Sequence, residues 1–230
     1  MTDLSLIRHL VARPGEALPP LTGLYDYVLG AGGLYLRAER PGLRVCQALA
    51  ETQVRGLAGV EPELAFTWPR VPADLTARML AQARAERDAV GRPIEVMYHL
   101  SWAGDRWELV KPLQRQTLTA VYPVGPFAGT SYETYLIEAH SHHDLTMHTF
   151  SSTDDASEGA TFRLFALLAD IFTAPMLLLR LNVFGYHWNV PAALAFELPE
   201  GLADGSAEAA DPDLLAGTDA LLTMEALGWL

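Results

Sequence analysis

The chain has 230 residues, 50% of them hydrophobic and 19% charged, with a mean hydropathy of +0.13. That composition supports a sizeable core and argues against global disorder. The 16 Lys and Arg against 28 Asp and Glu give a formal net charge of −12, which argues against a nucleic-acid partner and against an anionic membrane surface, both of which call for a basic face. A single cysteine, Cys46, rules out an internal disulfide and a cysteine-rich zinc site.

Residues 1–22 read as loop, punctuated by Pro14-Gly15 and Pro19-Pro20. Arg8 and His9 interrupt the N-terminal apolar residues before a signal-peptide core forms. No run reaches the roughly 18–20 apolar residues of a membrane span; the best candidate, 174–179, is cut by Arg180. The expectation is a soluble, cytoplasmic protein. Residues 25–29 and 33–38 are short β-rich runs, and Gly30-Ala31-Gly32-Gly33 between them suggests a hairpin. Residues 43–49 continue this β-like character. Pro72-Ala73-Asp74 then opens a helix over 74–89, with Asp74 as N-cap, Leu75, Met79, Leu80 and Ala83 at helical spacing, and Gly91 as the stop. A hairpin follows, 94–102 and 107–110, around Ala103-Gly104-Asp105. Residues 117–124 read as another strand, and 132–142 as a strand running into a His-rich segment. The apolar runs 162–171 and 176–183 have strand length, although periodicity allows a buried helix for the first. The tail from Pro199 is acidic and loose until Leu214, and 214–230 can form a weak amphipathic helix. Residues 181–230 hold eight acids and no Lys or Arg.

The segment that carries chemistry is Ile137-Glu138-Ala139-His140-Ser141-His142-His143-Asp144, followed by Phe150-Ser151-Ser152-Thr153-Asp154-Asp155. Four of the seven histidines lie within residues 140–148. At the end of a strand, His140 and His142 share a face, because side chains two apart point the same way. Two imidazoles on one face can converge on a cation, and Asp154 can return as the third ligand. Two nitrogens and an oxygen suit Zn²⁺ and leave a fourth position for water, the mark of a catalytic site. His143 or His148 as a fourth ligand would close it into a structural one. Other H-x-H families fit poorly: a cupin wants Glu where Thr146 and Met147 stand, a histidine-triad hydrolase wants His at Asp144, and there is no H-E-x-x-H.

The order H-x-H then S-x-x-D, in His140-Ser141-His142 and Ser151-Ser152-Thr153-Asp154, resembles the signature of the JAMM (MPN+, Prok-JAB) metallopeptidase family. Two departures stand in the loop between them: His143 replaces the family's usual Pro, and the gap is one residue longer than in common eukaryotic members. Across residues 22–198 the chain resembles the bacterial branch of PRTRC-system A proteins, through the helix at 74–89, R-P-I-E-V-M-Y-H-L, the HSHH…FSSTDD core and L-R-L-N-V-F-G-Y-H-W.

This resemblance implies an α/β fold, a curved mixed sheet of the cytidine-deaminase-like kind flanked by helices. Its parts would be a β-rich extension plus helix over 1–88, a catalytic domain over 89–198 and an acidic tail over 199–230. It implies a zinc-dependent peptidase or isopeptidase acting at the tail of a ubiquitin-like protein or on a peptide, with the tail bound as an added β-strand. Zinc would be held by His140, His142 and Asp154. The family's glutamate lies upstream on an earlier strand. Glu95, an acid within an apolar strand, is the candidate general base; Glu138, on the histidine face, is its rival, and Glu133 a weaker one. Ser151 would stabilise the oxyanion, with Ser152 as the alternative, and Asp155 would cap the following short helix. Tyr186, His187 and Trp188 could line a substrate groove or simply be core. Cys46 reads as a buried structural thiol, and His9, His99 and His187 as packing or surface residues. The competing reading is a catalytically weak metal-binding scaffold, or a partner-binding module, on the same fold; a zinc hydrolase of small molecules is a third.

Overall fold

In the computed structural model, which describes residues 5–143 and 149–205, the chain divides between Trp68 and Pro69 into two units. The first is a five-stranded sheet in chain order: β1 (Ile7–Val11), β2 (Tyr25–Gly30), β3 (Gly33–Arg40), β4 (Leu43–Glu51) and β5 (Glu63–Phe66). β1 runs parallel to β2 and the other pairs are antiparallel. The hairpin expected around Gly30–Gly33 forms. Gly33 has φ +142°, and a Cβ there would sit 2.1 Å from the Ala50 carbonyl oxygen, so only glycine fits.

β1 is a correction to the loop expected over 1–22. The charge that disguised it is paired across the sheet: Arg8 lies opposite Asp26, and Asp26 opposite Arg37. Arg8 Nε is 2.7 Å from Asp26 Oδ1 and Arg37 Nη2 is 2.7 Å from Asp26 Oδ2, with the aspartate fully buried.

The second unit opens with α1 (Ala73–Ala85), which buries Leu75, Met79, Leu80 and Ala83. Each of the larger side chains contributes roughly 1.5–3 kcal/mol by leaving water. Pro72 rather than Asp74 occupies the N-cap, and Asp74 lies in the first turn. The helix stops at Ala85 instead of 89 because the Asp88 carboxylate organises a turn, accepting hydrogen bonds from Val90 N, Arg92 N and Arg92 Nε. Val71, just before α1, bridges to Phe196. The helix therefore belongs with the second unit, and the boundary falls at 68/69 rather than at 88/89.

The remaining elements are β6 (Met97–Ala103), β7 (Arg106–Val110), β8 (Gln114–Gln116), β9 (Val121–Pro123), α2 (Ser131–Thr134), β10 (Ile137–Ser141), α3 (Ser152–Glu158), β11 (Phe162–Ala169), β12 (Met176–Val183), β13 (Tyr186–Val190) and β14 (Ala203–Asp204). The single strand expected over 117–124 is instead the β8–β9 hairpin. It turns where Thr117 N and Oγ1 both donate to the Ala120 carbonyl, at 2.9 Å each. The strand expected from 132 begins at Ile137, because Thr130 caps the α2 turn by accepting from Tyr132 N. The ambiguous run at 162–171 is strand β11. Within the tail, Asp204 accepts from Ala192 N and Ala193 N at 3.0 and 3.1 Å, and β14 adds to the sheet beside the start of β12. The helix expected over 214–230 lies outside the described residues.

The main sheet is mixed and curled, in the order β13-β12-β11-β10-β6-β7, with β14 beside β12. β10 and β11 are parallel and joined through α3; β10–β6, β11–β12 and β12–β13 are antiparallel. Side-chain alternation divides it into two unlike faces. One carries Ile137, Ala139, Leu164, Ala166, Leu179 and Leu181, all at 0% exposure. The other, in register across β6, β10, β11 and β12, carries His99, Glu138, Phe165 and Arg180 in one row. Only α1 among the described helices exceeds seven residues. The helical flank is thinner than expected, and none is long and apolar enough to cross a membrane.

Candidate metal centre

The site grows from the polar face at the carboxyl end of β10, where open α/β sheets bind ligands. Glu138 and His140 alternate along the strand, and His142 follows just past its last residue. The ladder continues through it, since His142 N donates to the Leu168 carbonyl at 2.9 Å. Both imidazoles therefore keep the same side. Their Nε2 atoms are 3.2 Å apart, and both residues are buried, at 5% and 6% exposure.

Asp154 returns through the N-terminus of α3. Ser151 is the N-cap: its Oγ accepts from Asp154 N at 3.3 Å, and Asp154 Oδ2 accepts from Ser151 N at 2.6 Å and from Ser151 Oγ at 2.8 Å. This reciprocal capping box fixes the carboxylate over the first turn. The expected cap, Asp155, is not the cap and pairs with Arg180 instead. From this position Asp154 Oδ1 lies 3.3 Å from His140 Nε2, and Oδ2 lies 3.7 Å from His142 Nε2.

These spacings test whether the group can hold a cation. A tetrahedral ion with ligands at about 2.05–2.1 Å has ligand–ligand edges of about 3.3–3.4 Å. The two Nε2 atoms are 3.2 Å apart; the Asp154 contacts, 3.3 Å to His140 and 3.7 Å to His142, are made by different carboxylate oxygens, and one donor atom from each residue lies within 4.8 Å of the others. The nitrogen–nitrogen separation is close to the tetrahedral edge, and the carboxylate lies within reach of the same ion. The residues fit a divalent cation with a nitrogen-rich donor set.

The electrostatics agree with an anionic corner facing two imidazoles. Burial opposes a charge on His140, but the hydrogen bond and charge of Asp154, with the charges of Glu138 and Glu95, together outweigh it and the pKa is raised. Burial alone would raise the Asp154 carboxyl; the hydrogen bond and charge of His140, with the Ser151 backbone and hydroxyl, hold it well below the usual range.

Glu95 stands two residues before β6. Extending the β6–β10 register places it opposite His142, and pairing does continue there: Ser141 N donates to Val96 O at 3.0 Å and Val96 N to Ser141 Oγ at 3.1 Å. On its other side Glu95 N donates to Thr117 O at 2.9 Å, and Gln116 Nε2 donates to Glu95 O at 2.8 Å. Cross-strand partners share a face, so the carboxyl looks toward the histidines. Burial pushes its pKa up from 4.5 to about 7, with His140 pulling it down and Asp154 pushing it further up.

Glu95, His140, His142, Ser151 and Asp154 all line one cavity of about 740 Å³, and so does Glu138. Of the other candidates, Ser152 is exposed and off the cavity wall, and Glu133 turns outward to accept from Gly129 N at 2.9 Å. His143 points to the opposite side and contacts Ser141 Oγ at 3.0 Å, so it does not join the ligands; His148 lies outside the described residues. Tyr186, His187 and Trp188 form β13 and are not on the cavity wall. Cys46 is buried in the first unit, where burial pushes its thiol up to about 11, the character of an inert packing residue.

The sequence reading missed Glu158 and Arg180, both buried, and took His99 as mere packing. His99 has its Nδ1 2.8 Å from Ser131 Oγ and its Nε2 3.7 Å from Glu138 Oε2. The signal for Arg180 was present: an arginine inside an apolar strand requires a buried partner. Comparison with protein-family models and with curated proteins finds no match to this chain.

Proposed function

We propose that the chain is a zinc-dependent metallopeptidase or isopeptidase of the JAMM kind, built on the JAMM variant of the mixed α/β fold. Its substrate would be the tail of a ubiquitin-like protein or a peptide. The observation that carries the reading is the convergence of His140, His142 and Asp154, with donor atoms within 4.8 Å of one another, on the wall of a cavity that also holds Glu95. His140, His142 and Asp154 would hold the zinc, which would supply Lewis-acid polarisation of a carbonyl and activation of water at neutral pH.

The chain's own residues do the rest. Glu95 receives the proton of the attacking water on its carboxylate and returns it to the leaving amine; in the metal-free chain burial raises that carboxyl's pKa to about 7, and a bound dication would draw it back toward the ionised form a base requires. Asp154 is held by Ser151, whose hydroxyl donates to it; that hydroxyl serves a developing oxyanion only by leaving the carboxylate. The cavity mouth carries the exposed apolar side chains Tyr122 and Phe127, suited to an extended segment of a protein substrate. A lone buried thiol suits a reducing compartment, and we place the protein in the cytoplasm.

The same commitment of Ser151 to Asp154 favours a second reading, a metal-retaining scaffold with weak turnover. One experiment separates them. Purified protein should bind one zinc per chain and lose it in His142→Ala. It should cleave a fusion carrying a Gly-rich tail, and Glu95→Gln should keep the zinc while losing about 10²–10⁴ in rate. Zinc uptake without cleavage selects the scaffold; no zinc uptake refutes both.

A further inference from the structure

β12 reads Met-Leu-Leu-Leu-Arg-Leu-Asn-Val, and the side chain of Arg180 within it is only 7% exposed. Burying a guanidinium is costly unless it is paired, so its partners show what it holds. Nη1 lies 2.6 Å from Asp155 Oδ1 and Nη2 lies 2.8 Å from Glu158 Oε2. Both acids belong to α3, immediately and four residues after Asp154. The guanidinium carbon also lies 3.9 Å from the centroid of Phe150, and that ring stands edge-on to His140 with centroids 6.1 Å apart.

α3 needs such an anchor. It has seven residues, and its only buried side chain is Glu158. A helix this short does not persist alone, and no apolar stripe docks it on the sheet. What fastens it is polar and comes from the same strand. Arg180 grips two of its acids, and Asn182 Nδ2 donates to Glu158 O and Thr161 O at 2.7 Å each. The capping box then fixes Asp154 relative to a helix already tied down.

Resting on the metal-centre reading, we propose that Arg180 is its positioning residue, holding α3 to the sheet through Asp155 and Glu158 and so setting Asp154, and through Phe150 the ring of His140. The planar fork reaches two carboxylates at once, which a lysine ammonium on a flexible stem does not reproduce.

The test measures zinc affinity of the full chain by competition with a chromophoric chelator, with the visible spectrum of the Co²⁺-loaded protein as a geometric readout. Arg180→Met should weaken zinc about 10–100-fold, as loss of a ligand-orienting partner typically does, and should change the Co²⁺ bands. Arg180→Lys should fall between it and wild type. Arg180→Met/Glu158→Gln leaves no unpaired buried charge and keeps the measurement available should the single variant not fold. Asp155→Asn, at a half-exposed position, should weaken zinc several-fold. Affinity and Co²⁺ spectra equal to wild type in the double variant and in Asp155→Asn overturn the proposal, even if the metal-free proteins melt earlier, since that pattern describes a structural arginine. A wild-type chain that takes up no zinc overturns the metal centre itself.

Discussion

Glu95 should make the metal-free protein less stable wherever it is ionised, and the size of the effect follows from its surroundings. The residue is 5% exposed and its carboxyl pKa is raised from 4.5 to about 7, chiefly by burial. Between those values the folded chain holds a proton that the unfolded chain has released, so stability falls as pH rises through this window. Below pH 4.5 the penalty is absent; above pH 7 it is complete. At 1.36 kcal/mol per pH unit, the interval from 4.5 to about 7 amounts to roughly 3 kcal/mol. Glu95→Gln cannot ionise. In urea denaturation with a chelator present, the variant should gain up to about 3 kcal/mol on wild type between pH 4.5 and pH 8. The pH difference cancels the constant cost of a buried amide. Zinc should shrink that gain, because a nearby dication favours the ionised carboxylate. A gap between the two proteins that is the same at both pH values would refute the buried-carboxyl argument.

Asp154→Asn should abolish zinc uptake, and in the metal-free protein it should move the NMR titration of His140 to lower pH, because the carboxylate that raises it is gone; an unmoved titration counts against the pair. Ser151→Ala removes the capping box and should cost about 1 kcal/mol in denaturation while weakening zinc about 10–100-fold, with Ser151→Thr restoring both. In the first unit, Asp26→Ala removes the buried carboxylate shared by Arg8 and Arg37 and should destabilise by about 3 kcal/mol in chemical denaturation; a loss under about 1 kcal/mol would mean the arginines are satisfied by solvent and by the Pro19 and Pro20 carbonyls.

What the sequence makes legible is what local periodicity encodes. His140 and His142 share a face because strands alternate, and that rule needs only the strand to exist. The Gly30–Gly33 and Gly104 turns are legible because positive φ selects glycine. α1 shows in its apolar spacing, though its end does not, because the Asp88 turn competes for the last residues. The illegible parts are those where a charge is satisfied far along the chain. Arg8 breaks an apolar run and so hides β1, yet its partner Asp26 is 18 residues away. Arg180 looks like the end of a hydrophobic run, yet it meets Asp155 at a separation of 25. Local pattern treats such a residue as an interruption; the fold uses it as a tie.

The choice between Glu95 and Glu138 turns on the same distinction. Both line the cavity; the sequence makes Glu95 the candidate base and Glu138, on the histidine strand, its rival. Its carboxylate lies 3.7 Å from His99 Nε2, and its charge acts on the Tyr135 phenol. The charged groups that act on the Glu95 carboxyl are His140 and Asp154, two of the ligand candidates themselves. An acid with a histidine and a tyrosine beside it has competing sites for its proton, whereas the Glu95 carboxyl faces the ligand candidates His140 and Asp154. Glu138→Gln should therefore keep zinc affinity and lose no more than about 10-fold in cleavage rate, against about 10²–10⁴ for Glu95→Gln. If the two losses come out in the reverse order under identical zinc loading, the base is Glu138, and the buried carboxyl at 95 serves only the electrostatics of the ligands.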